Sequence, residues 1–239
     1  MGDRQATILA AGMGTRLGMS TPKALTPLAD GRSIMAHQLD NLRDMLGADL
    51  RIVVVVGFKP HLIMQEFPDV LFAFNERYKE TNTSKSLLKA LWLSHTGGVL
   101  WLNGDVVFDP RLLSEIKPLI DDDRTFVCVN TASVGEEEIK YTLGDDGYVN
   151  ALSKDVAGGL GEAIGINYVS SADKALLIRH LERCLDQDYF ERGLETAIEM
   201  DGLRVEAKDI SAYYAVEVDF AEDLDRANSE VIKSVTSAA

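Results

Sequence analysis

A glycine-rich loop directly after a short apolar run constrains this sequence more than any other feature. The run is Ala-Thr-Ile-Leu at 6–9, and the loop continues as Ala-Ala-Gly-Met-Gly-Thr-Arg-Leu-Gly-Met-Ser-Thr-Pro-Lys up to position 23. Gly12, Gly14 and Gly18 allow positive φ angles and close backbone approach, so successive N–H groups can converge on phosphate oxygens. Arg16 and Lys23 place positive charge beside them. The pattern predicts a strand that runs into a nucleoside triphosphate site.

Two well-known phosphate-binding motifs do not fit this loop. A P-loop needs a second glycine five residues after the first, but counting five residues from Gly12 reaches Leu17. The dinucleotide-binding fingerprint needs its third glycine at that same position. Both motifs also begin a helix at once, whereas Pro22 and Pro27 prevent a regular helix here. The sequence therefore predicts a long, extended loop.

Size and charge limit the kinds of partner. With 239 residues, of which 46% are hydrophobic, the chain can bury a full core as one α/β domain. The formal net charge of -14 disfavours a nucleic-acid or anionic-membrane surface, because both need clustered positive charge. We therefore expect small-molecule partners, no nucleic acid and no membrane insertion.

Cysteines, histidines and the N-terminal residues indicate no further chemistry. Cys128 and Cys184 are far apart and form no Cys-x-x-Cys pair, so neither a disulfide framework nor a zinc site is predicted. The four histidines show no metal-ligand spacing. Residues 1–5 lead into a strand without the apolar segment of a signal peptide. We expect a cytoplasmic protein, and its sequence is compatible with a homodimer.

The order of apolar patterns predicts the fold class. Runs without alternation at 52–56 and 99–102 are typical of parallel strands buried on both faces. Helical spacing at 33–46 predicts an amphipathic helix after the loop. Between 125 and 169, short strand-like segments alternate with turns, which predicts an antiparallel part.

We therefore expect an α/β, Rossmann-like fold with a mixed, mostly parallel sheet and helices on both faces. The whole chain, residues 1–239, is predicted to be one domain. Residues from about 133 to 169 are predicted to form a small antiparallel subdomain. Residues from about 229 to 239 are predicted to form a frayed tail.

Three acidic residues at predicted strand ends are candidate metal ligands. Asp105 and Asp219 each follow an apolar strand, so a parallel sheet can bring both carboxylates to one edge. Mg²⁺ is typically held by one or two carboxylates plus substrate phosphates. Glu217, one alternation before Asp219, is a third candidate. Each aspartate alone would also fit a helix cap or a turn, and Glu217 a solvated strand end.

The loop together with Pro22-Lys23 resembles the signature of nucleotidyltransferases that make nucleotide sugars and CDP-alcohols. The likeness covers nearly all of the chain and is nearest to single-domain cytidylyltransferases acting on phosphocholine, inositol 1-phosphate or aminoethylphosphonate, judged from 81–88, Lys154-Asp155 and 217–228. It implies a GT-A-like form of the fold and Mg²⁺ as cofactor. The nucleotide-binding residues it implies are Leu9, Ala10, Ala11, Gly12, Met13, Gly14, Thr15, Arg16, Lys23, Asn82, Thr83, Ser84 and Gly104.

The resemblance also implies catalytic and acceptor-binding residues. Arg16 and Lys23 would hold the triphosphate, and Lys154 would bind the phosphate of the acceptor, so these three are the predicted catalytic residues. Glu162 would contact a hydroxyl or an ammonium group of the acceptor, the second substrate. The antiparallel subdomain at about 133–169 would form the acceptor side of the cleft.

Metal and base contacts follow from the same likeness. Asp105 and Asp219 match the two metal-binding aspartates of similar enzymes, and Glu217 would assist them. Residues 82–86 match the segment that touches the base. They would equally fit a helix N-cap, with Thr83 or Ser84 as the capping residue.

The implied reaction joins an NTP, with CTP favoured, to a phosphorylated alcohol, phosphonate or sugar and releases pyrophosphate. No general base is needed, because a phosphomonoester is already largely dianionic at neutral pH. Two alternatives stay open. One is a sugar-1-phosphate nucleotidyltransferase using UTP, dTTP or GTP, and the other is a nucleotide-sensing domain that binds NTP without turnover.

Overall fold

Eleven strands and seven α-helices make up the part of the chain that the structure describes. The structure is a computed structural model, and it describes residues 4–14, 17–18, 20–132 and 138–238. The strands are β1 (Gln5–Ala10), β2 (Arg51–Val56), β3 (Leu71–Phe74), β4 (Val99–Asn103), β5 (Val106–Phe108), β6 (Phe126–Asn130), β7 (Lys140–Leu143), β8 (Val149–Ser153), β9 (Glu162–Val169), β10 (Glu206–Asp209) and β11 (Ala215–Glu217). The helices are α1 (Ile34–Leu46), α2 (Pro60–Glu66), α3 (Thr83–Trp92), α4 (Arg111–Asp121), α5 (Lys174–Arg183), α6 (Phe190–Asp201) and α7 (Ala221–Ala238). None of the described helices is long and apolar enough to cross a membrane.

Seven strands form the main path of one mixed sheet, in the order β10-β6-β9-β4-β1-β2-β3. β1 pairs in parallel with β2 and β4, β2 with β3, and β6 with β10. β9 runs antiparallel to both of its neighbours on this path, β4 and β6. The predicted mixed, mostly parallel sheet is confirmed. This order places the carboxyl ends of β1 and β4 side by side, which is where open α/β sheets bind ligands.

Helices cover both faces of the sheet, as predicted. Ile8 of β1 packs in one hydrophobic cluster with residues of α1, α2 and α4. The next residue, Leu9, packs in a second cluster with residues of α3, α5 and α6. Val54 and Val53 of β2 divide between the two clusters in the same way. Because both faces are covered, the central strands read as continuous apolar runs in the sequence.

The antiparallel part is smaller than the sequence predicts. Of the strands between 133 and 169, β9 is a central strand of the main sheet, and six of its eight residues are buried. β7 and β8 form a hairpin off the main path, attached to β9 through the pair Lys140↔Glu162. The predicted subdomain at 133–169 is therefore wrong for β9, because residues such as Ile166 belong to the main hydrophobic core.

β5 and β11 form a separate two-stranded antiparallel sheet. Val107 of β5 packs against Val218 and against Ala227 and Val231 of α7. The sequence predicts a frayed tail at about 229–239, but the structure continues α7 to Ala238. Burial of Val231 gives a physical reason for the helix to extend beyond position 229.

The sequence patterns missed two short elements. α2 has seven residues and begins at Pro60, and β5 has three residues. Elements this short span too few residues to show a helical or strand period. β5 is important for the candidate site, because it pairs with β11. The predicted metal ligand Asp219 follows β11 directly.

Candidate active site

A large cavity opens at the carboxyl ends of β1 and β4. Its volume is about 730 Å³, within the range of roughly 300–1,000 Å³ that is common for small-molecule sites. Its wall brings together the glycine-rich loop, both strand-end aspartates and the predicted acceptor-side residues. The predicted site residues on the wall are Leu9, Ala10, Gly12, Gly14, Lys23, Thr83, Gly104, Asp105, Lys154, Glu162, Glu217 and Asp219.

Close backbone contacts hold the loop against the end of β4. The N–H of Gly104 donates to the carbonyl oxygen of Leu9 at 2.9 Å. A Cβ on Gly104 would lie 2.8 Å from that same oxygen, so a larger residue would force the two segments apart. Gly14 has a φ of +57°, and a Cβ there would lie 3.0 Å from the Cβ of Lys23. These two glycines therefore allow the close approach that the loop requires.

Lys23 is a cation held between two carboxylates. It begins a 3-10 turn, Lys23–Leu25, and its Nζ donates to Oδ2 of Asp105 at 2.8 Å and also to Oδ1 of Asp219. The Lys23 side chain is 14% exposed. Burial lowers the pKa of Lys23, but the two carboxylates raise it by more, so the net pKa lies above its usual value. Lys23 is therefore charged at neutral pH.

The strand pairing that brings Asp105 and Asp219 together is not the predicted one. Asp105 lies between β4 and β5, but Asp219 follows β11, which pairs with β5 and not with the main sheet. The N–H of Val218 donates to the carbonyl oxygen of Asp105 at 3.0 Å. The prediction that both stand at the edge of one parallel sheet is wrong, because an antiparallel pairing outside that sheet places Asp219.

Gln38 holds the loop that carries Asp105. Its side chain, on α1, is 1% exposed. Its Nε2 donates to the carbonyl oxygens of Asn103 at 2.8 Å and Val106 at 2.9 Å, which flank Asp105 on both sides. The sequence offers one sign of this role, a glutamine among the apolar positions of an amphipathic helix.

Gln38→Leu should lower the free energy of unfolding by about 2 kcal/mol, because two buried carbonyl oxygens would lose their donor. Urea denaturation followed by circular dichroism measures the change. Gln65→Leu, on the exposed surface of α2, is the matched control and should change the stability by less than about 0.5 kcal/mol. Equal losses in the two variants would contradict the role of Gln38 in holding this loop.

Glu217 is fixed by hydrogen bonds and is not a solvated strand end. Its Oε1 accepts from the N–H of Gly165 at 2.9 Å and from Nδ2 of Asn103 at 3.3 Å. A Cβ on Gly165 would lie 2.7 Å from this oxygen, so the contact depends on glycine. Burial raises the pKa of Glu217, and the nearby charge of Asp105 raises it further. Its role as a metal ligand stays a prediction.

The predicted acceptor-side residues lie on the wall formed by β8, β9 and the start of α6. Nζ of Lys154 is 5.1 Å from the centre of the Tyr189 ring, a cation–π contact. Glu162 is the half-buried first residue of β9. Both line the cavity. Their roles toward an acceptor stay predictions.

The segment predicted to touch the base reaches the cavity at one position. Of Asn82, Thr83 and Ser84, only Thr83 lines the cavity. The N-cap of α3 is Asn82, whose side chain accepts from the N–H of Thr83 at 2.8 Å. The prediction that Thr83 or Ser84 is the cap is therefore wrong. Thr83 instead accepts from the N–H of Phe190 at 3.0 Å, and Ser84 is completely buried.

Two loop positions predicted to bind nucleotide, Ala11 and Met13, do not line the cavity. Thr15 and Arg16 lie outside the described residues. Ala11 is buried, and its carbonyl oxygen accepts from the N–H of Phe58 at 3.1 Å. Met13 is 37% exposed and does not line the cavity.

Four charged residues of the described wall have no marker in the sequence: Glu138, Glu191, Asp223 and Arg226. Glu191 is 9% exposed in the first turn of α6, and burial raises its pKa to about 7. Arg226 donates to Oδ1 of Asp223 at 2.6 Å. A glutamate in the first turn of a helix is common for electrostatic reasons alone, so only tertiary burial distinguishes Glu191.

The aspartate pair fits a divalent cation. Oδ1 of Asp105 is buried and has no hydrogen-bond partner in the described part of the chain. Its Oδ2 and an oxygen of Asp219 already share one cation, the ammonium of Lys23. Two carboxylates beside an open cavity match the preference of Mg²⁺ for few protein ligands plus phosphates. Among the described residues, no group of three or more His, Cys, Asp or Glu side chains is arranged to hold a metal ion.

The chain matches one family model and parts of longer enzymes. The model, described as a MobA-like NTP transferase domain, matches residues 6–195. The UTP–glucose-1-phosphate uridylyltransferase AglF of Haloferax volcanii is 41% identical over 124 residues, which are 49% of this chain and 50% of that protein. The bifunctional protein GlmU of Acidithiobacillus ferrooxidans is 39% identical over 131 residues, 54% of this chain and 28% of that protein. This chain thus spans half or less of the length of these two relatives.

Two solved structures share the fold. The inositol-1-phosphate CTP transferase from T. maritima has a TM-score of 0.76 at 17% identity and covers 93% of this chain and 92% of its own. The CTP:phosphocholine cytidylyltransferase LicC from Streptococcus pneumoniae has a TM-score of 0.74 at 19% identity and covers 95% and 99%. The likeness confirms the predicted α/β class.

Proposed function

The chain belongs to the MobA-like NTP transferase domain family, and from this premise we propose that it joins an NTP to a phosphorylated acceptor and releases pyrophosphate. The observation that carries the proposal is the meeting of Lys23, Asp105 and Asp219 beside the glycine-rich loop. A reacting triphosphate needs positive charge and a metal-binding group at the same place. These three side chains supply both.

The loop would hold the triphosphate. Gly12 and Gly14 line the cavity, and their small size lets phosphate oxygens approach the backbone N–H groups. Lys23 donates to the carboxylates of Asp105 and Asp219. When the nucleotide binds, the ammonium would turn to the phosphate oxygens, where it stabilises the charge that develops on the leaving pyrophosphate.

Asp105 and Asp219 would hold Mg²⁺, which neutralises phosphate charge and favours in-line displacement when bound. Oδ1 of Asp105, which has no hydrogen-bond partner among the described residues, supports this assignment. Glu217 is proposed as a supporting residue at the same place, since its Oε1 is already used by the N–H of Gly165 and by Asn103.

The chemistry needs alignment more than proton transfer. An oxygen of the acceptor's phosphate attacks the α-phosphorus, the bond from that phosphorus to the β-phosphate oxygen breaks, and pyrophosphate leaves with the electron pair. The attacking phosphate is already an anion at neutral pH, so no side chain has to remove a proton. Lys154 would orient this phosphate, and the cavity would hold both substrates in reach of each other.

CTP is the proposed nucleotide, and UTP is the main alternative. Two solved structures with this fold are of a CTP transferase and of a CTP-using cytidylyltransferase. The sequence relative AglF is named as a uridylyltransferase. A pyrophosphate-release matrix decides between them, with four NTPs against phosphocholine, 2-aminoethylphosphonate, inositol 1-phosphate and several sugar 1-phosphates. Release with UTP, dTTP or GTP and a sugar 1-phosphate alone would favour the sugar-nucleotide alternative.

The same matrix tests the sensor alternative. A nucleotide-sensing domain would bind an NTP in calorimetry but release no pyrophosphate with any acceptor. The presence of Lys23, Asp105, Asp219 and Lys154 on one cavity wall supports the enzyme, because a domain that only binds nucleotide has no need of an acceptor-side lysine.

Lys154→Ala should raise the KM for the acceptor by about tenfold or more, as expected for the loss of a charge-assisted contact. The affinity for NTP should stay close to that of the unchanged protein, because Lys154 lies beside Tyr189, on the wall formed by β8, β9 and the start of α6. Steady-state kinetics and calorimetry measure the two quantities. Lys208→Ala, which removes a surface pair with Glu115, is the control. If Lys154→Ala lost NTP binding but kept its acceptor KM, Lys154 would act on the nucleotide and Lys23 would be the candidate for binding the acceptor.

A further inference from the structure

β3 is the last strand on one side of the main sheet, and its sequence does not guard this edge. Sheet edges are usually protected by charged residues, proline or a bulge, because their outward N–H and C=O groups can otherwise pair with another strand. β3 reads Leu-Phe-Ala-Phe. Its two end residues, Leu71 and Phe74, are 44% and 53% exposed. A strand of this composition is suited to pair with a further strand.

The backbone of β3 shows which groups face outward. The N–H of Asn75, just after β3, donates to the carbonyl oxygen of Val56 in β2 at 2.8 Å. Successive residues of a strand direct their N–H and C=O groups to opposite sides. Ala73 therefore directs its groups toward β2, as Asn75 does, whereas Phe72 and Phe74 direct theirs to the open side. These two outward residues are placed symmetrically about Ala73.

The end of α3 adds apolar surface along the same edge. Nζ of Lys89, on α3, donates to Oε2 of Glu76 at 2.7 Å, and Glu76 lies two residues after β3. Trp92 and Leu93 follow Lys89 by three and four residues, so they share its face of α3. They are 58% and 50% exposed. Four exposed side chains thus form one edge patch: Leu71, Phe74, Trp92 and Leu93.

The edge patch is large for a surface that faces water. At about 200 Å² for a large apolar side chain, the exposed fractions leave roughly 400 Å² of apolar surface. The largest apolar patch of a typical monomer measures about 300–600 Å² and often has a function. Each partner in a stable protein interface buries about 800 Å². The edge patch supplies about half of one such surface, and the β3 backbone and the neighbouring polar groups can supply the rest.

We propose that β3 pairs with β3 of a second copy of this chain, antiparallel and about a two-fold axis at Ala73, so that the two main sheets join into one. The outward groups of Phe72 in one copy then meet those of Phe74 in the other, and each such pair exchanges two backbone hydrogen bonds. A second copy fits this edge because the outward groups of β3 are complementary to themselves, as a two-fold interface requires.

Side chains favour this register over its neighbours. Ala73 faces Ala73 of the second copy where the Cα atoms of an antiparallel pair come closest, about 4.5 Å apart, and alanine is the smallest residue of β3. On the other face, Phe72 lies opposite Phe74 of the second copy, which gives a cross-strand aromatic pair on each side of the axis. An axis at Phe72 or at Phe74 would place only one of the two outward residues opposite an outward residue of the second β3.

The charges beside β3 do not prevent this pairing. Asp69 and Glu76 lie before and after the strand, so an antiparallel second copy brings the acidic residue at one end near the acidic residue at the other. Arg43 pairs with Asp69 at 2.5 Å, and Lys89 pairs with Glu76 at 2.7 Å. Each carboxylate thus has a cation of its own chain beside it, which weakens the repulsion across the pair.

The dimer does not depend on the proposed function. None of the edge-patch residues lines the central cavity, so the pairing leaves both cavities open. Its test measures mass and needs no turnover, and variants of the edge patch should release pyrophosphate at the same rate per chain as the wild type.

Sedimentation velocity of the full chain tests the dimer. At about 100 μM the wild type should have twice the 26.2 kDa mass of one chain, as expected for an interface of standard size. Phe74→Glu puts a charge where the second copy would cover it, and it should raise the dissociation constant of the dimer by about 100-fold or more. A wild type that stays monomeric at this concentration, or a dimer that persists in Phe74→Glu, would overturn the proposal.

Leu143→Glu is the matched control. Leu143 is 40% exposed at the end of β7, in the hairpin attached to β9 and therefore away from β3. Its substitution should leave the dissociation constant of the dimer unchanged. Equal weakening by Leu143→Glu and Phe74→Glu would show a general effect of added charge and would overturn the assignment of the interface to β3.

A cysteine at the two-fold axis tests the register. Ala73→Cys would place two thiols on Cα atoms about 4.5 Å apart, within the range of about 4.4–6.8 Å that disulfides span. The native Cys128 and Cys184 are buried. Mild oxidation should therefore link two chains of Ala73→Cys at least about tenfold faster than two chains of Leu143→Cys. Linking at equal rates would overturn this register. Sedimentation of Phe74→Glu decides alone where circular dichroism shows that Ala73→Cys does not fold.

Discussion

Asp105→Asn and Asp219→Asn should each slow pyrophosphate release by about 10³-fold or more, in line with the loss of a preorganised charge-stabilising group. Both carboxylates hold the Lys23 ammonium, and both would hold Mg²⁺ in the complex. Asparagine keeps the shape of the side chain but removes its charge, so the fold should survive. The remaining activity should require more Mg²⁺. Steady-state rates at increasing Mg²⁺, together with thermal unfolding, measure these effects.

Nucleotide binding without metal gives an independent check on the same pair. An acidic wall repels a triphosphate when no cation is bound, so each variant should bind NTP at least as tightly as the unchanged protein under these conditions. Asp40→Asn, which removes an exposed pair with Arg32, is the control and should change neither activity nor Mg²⁺ dependence. Full activity of the unchanged protein in excess EDTA would show that the aspartate pair is structural. An unchanged Mg²⁺ dependence of Asp219→Asn would place the metal elsewhere.

Lys23→Ala should reduce the rate by about 10²-fold or more, because it removes a positive charge that acts on the triphosphate and acts more strongly on the departing pyrophosphate. Lys23 is mostly buried and lies on the cavity wall, so water replaces its charge poorly. Single-turnover kinetics at saturating NTP separate this effect from weaker binding. Near-normal turnover of Lys23→Ala would contradict the proposal that the glycine-rich loop binds the reacting triphosphate.

Lys23→Met should have the opposite effect on the binding of metal alone. The Lys23 ammonium donates to both carboxylates, so it competes with a divalent cation for the same oxygens. A neutral side chain of similar length should therefore lower the dissociation constant for Mn²⁺ by about tenfold. Electron paramagnetic resonance of Mn²⁺ measures this change. Lys89→Met, which breaks a surface pair with Glu76, is the control, and equal Mn²⁺ affinity in the two variants would contradict competition.

Local signals were sufficient to predict much of the fold. Ser33 accepts from the N–H of Ala36 at the start of α1, and Gly47 ends that helix with a φ of 109°. The unbroken run at 52–56 became β2, buried between two helical layers. Such features depend on the period of apolar residues and on the conformational range of a few residue types, and both are properties of short segments.

The candidate site was predictable to the extent that its residues carry a local marker. Gly14 and Lys23 belong to one contiguous loop, and Asp105 follows an apolar strand directly. All three line the cavity, as does Lys154. Arg226 and Glu191 also line the site, but each lies in a helix where a charged residue is ordinary.

The sequence by itself determined the glycine-rich loop, the alternation of strands and helices and the sign of the charges at the strand ends, because each depends on neighbours along the chain. Only the tertiary structure decided that β9 enters the centre of the sheet and that β11 pairs with β5 to bring Asp219 to Lys23. It also decided that Glu191 is buried on the cavity wall. These outcomes depend on pairings between segments far apart in the chain, whose energies come from burial and hydrogen bonds that no single segment contains.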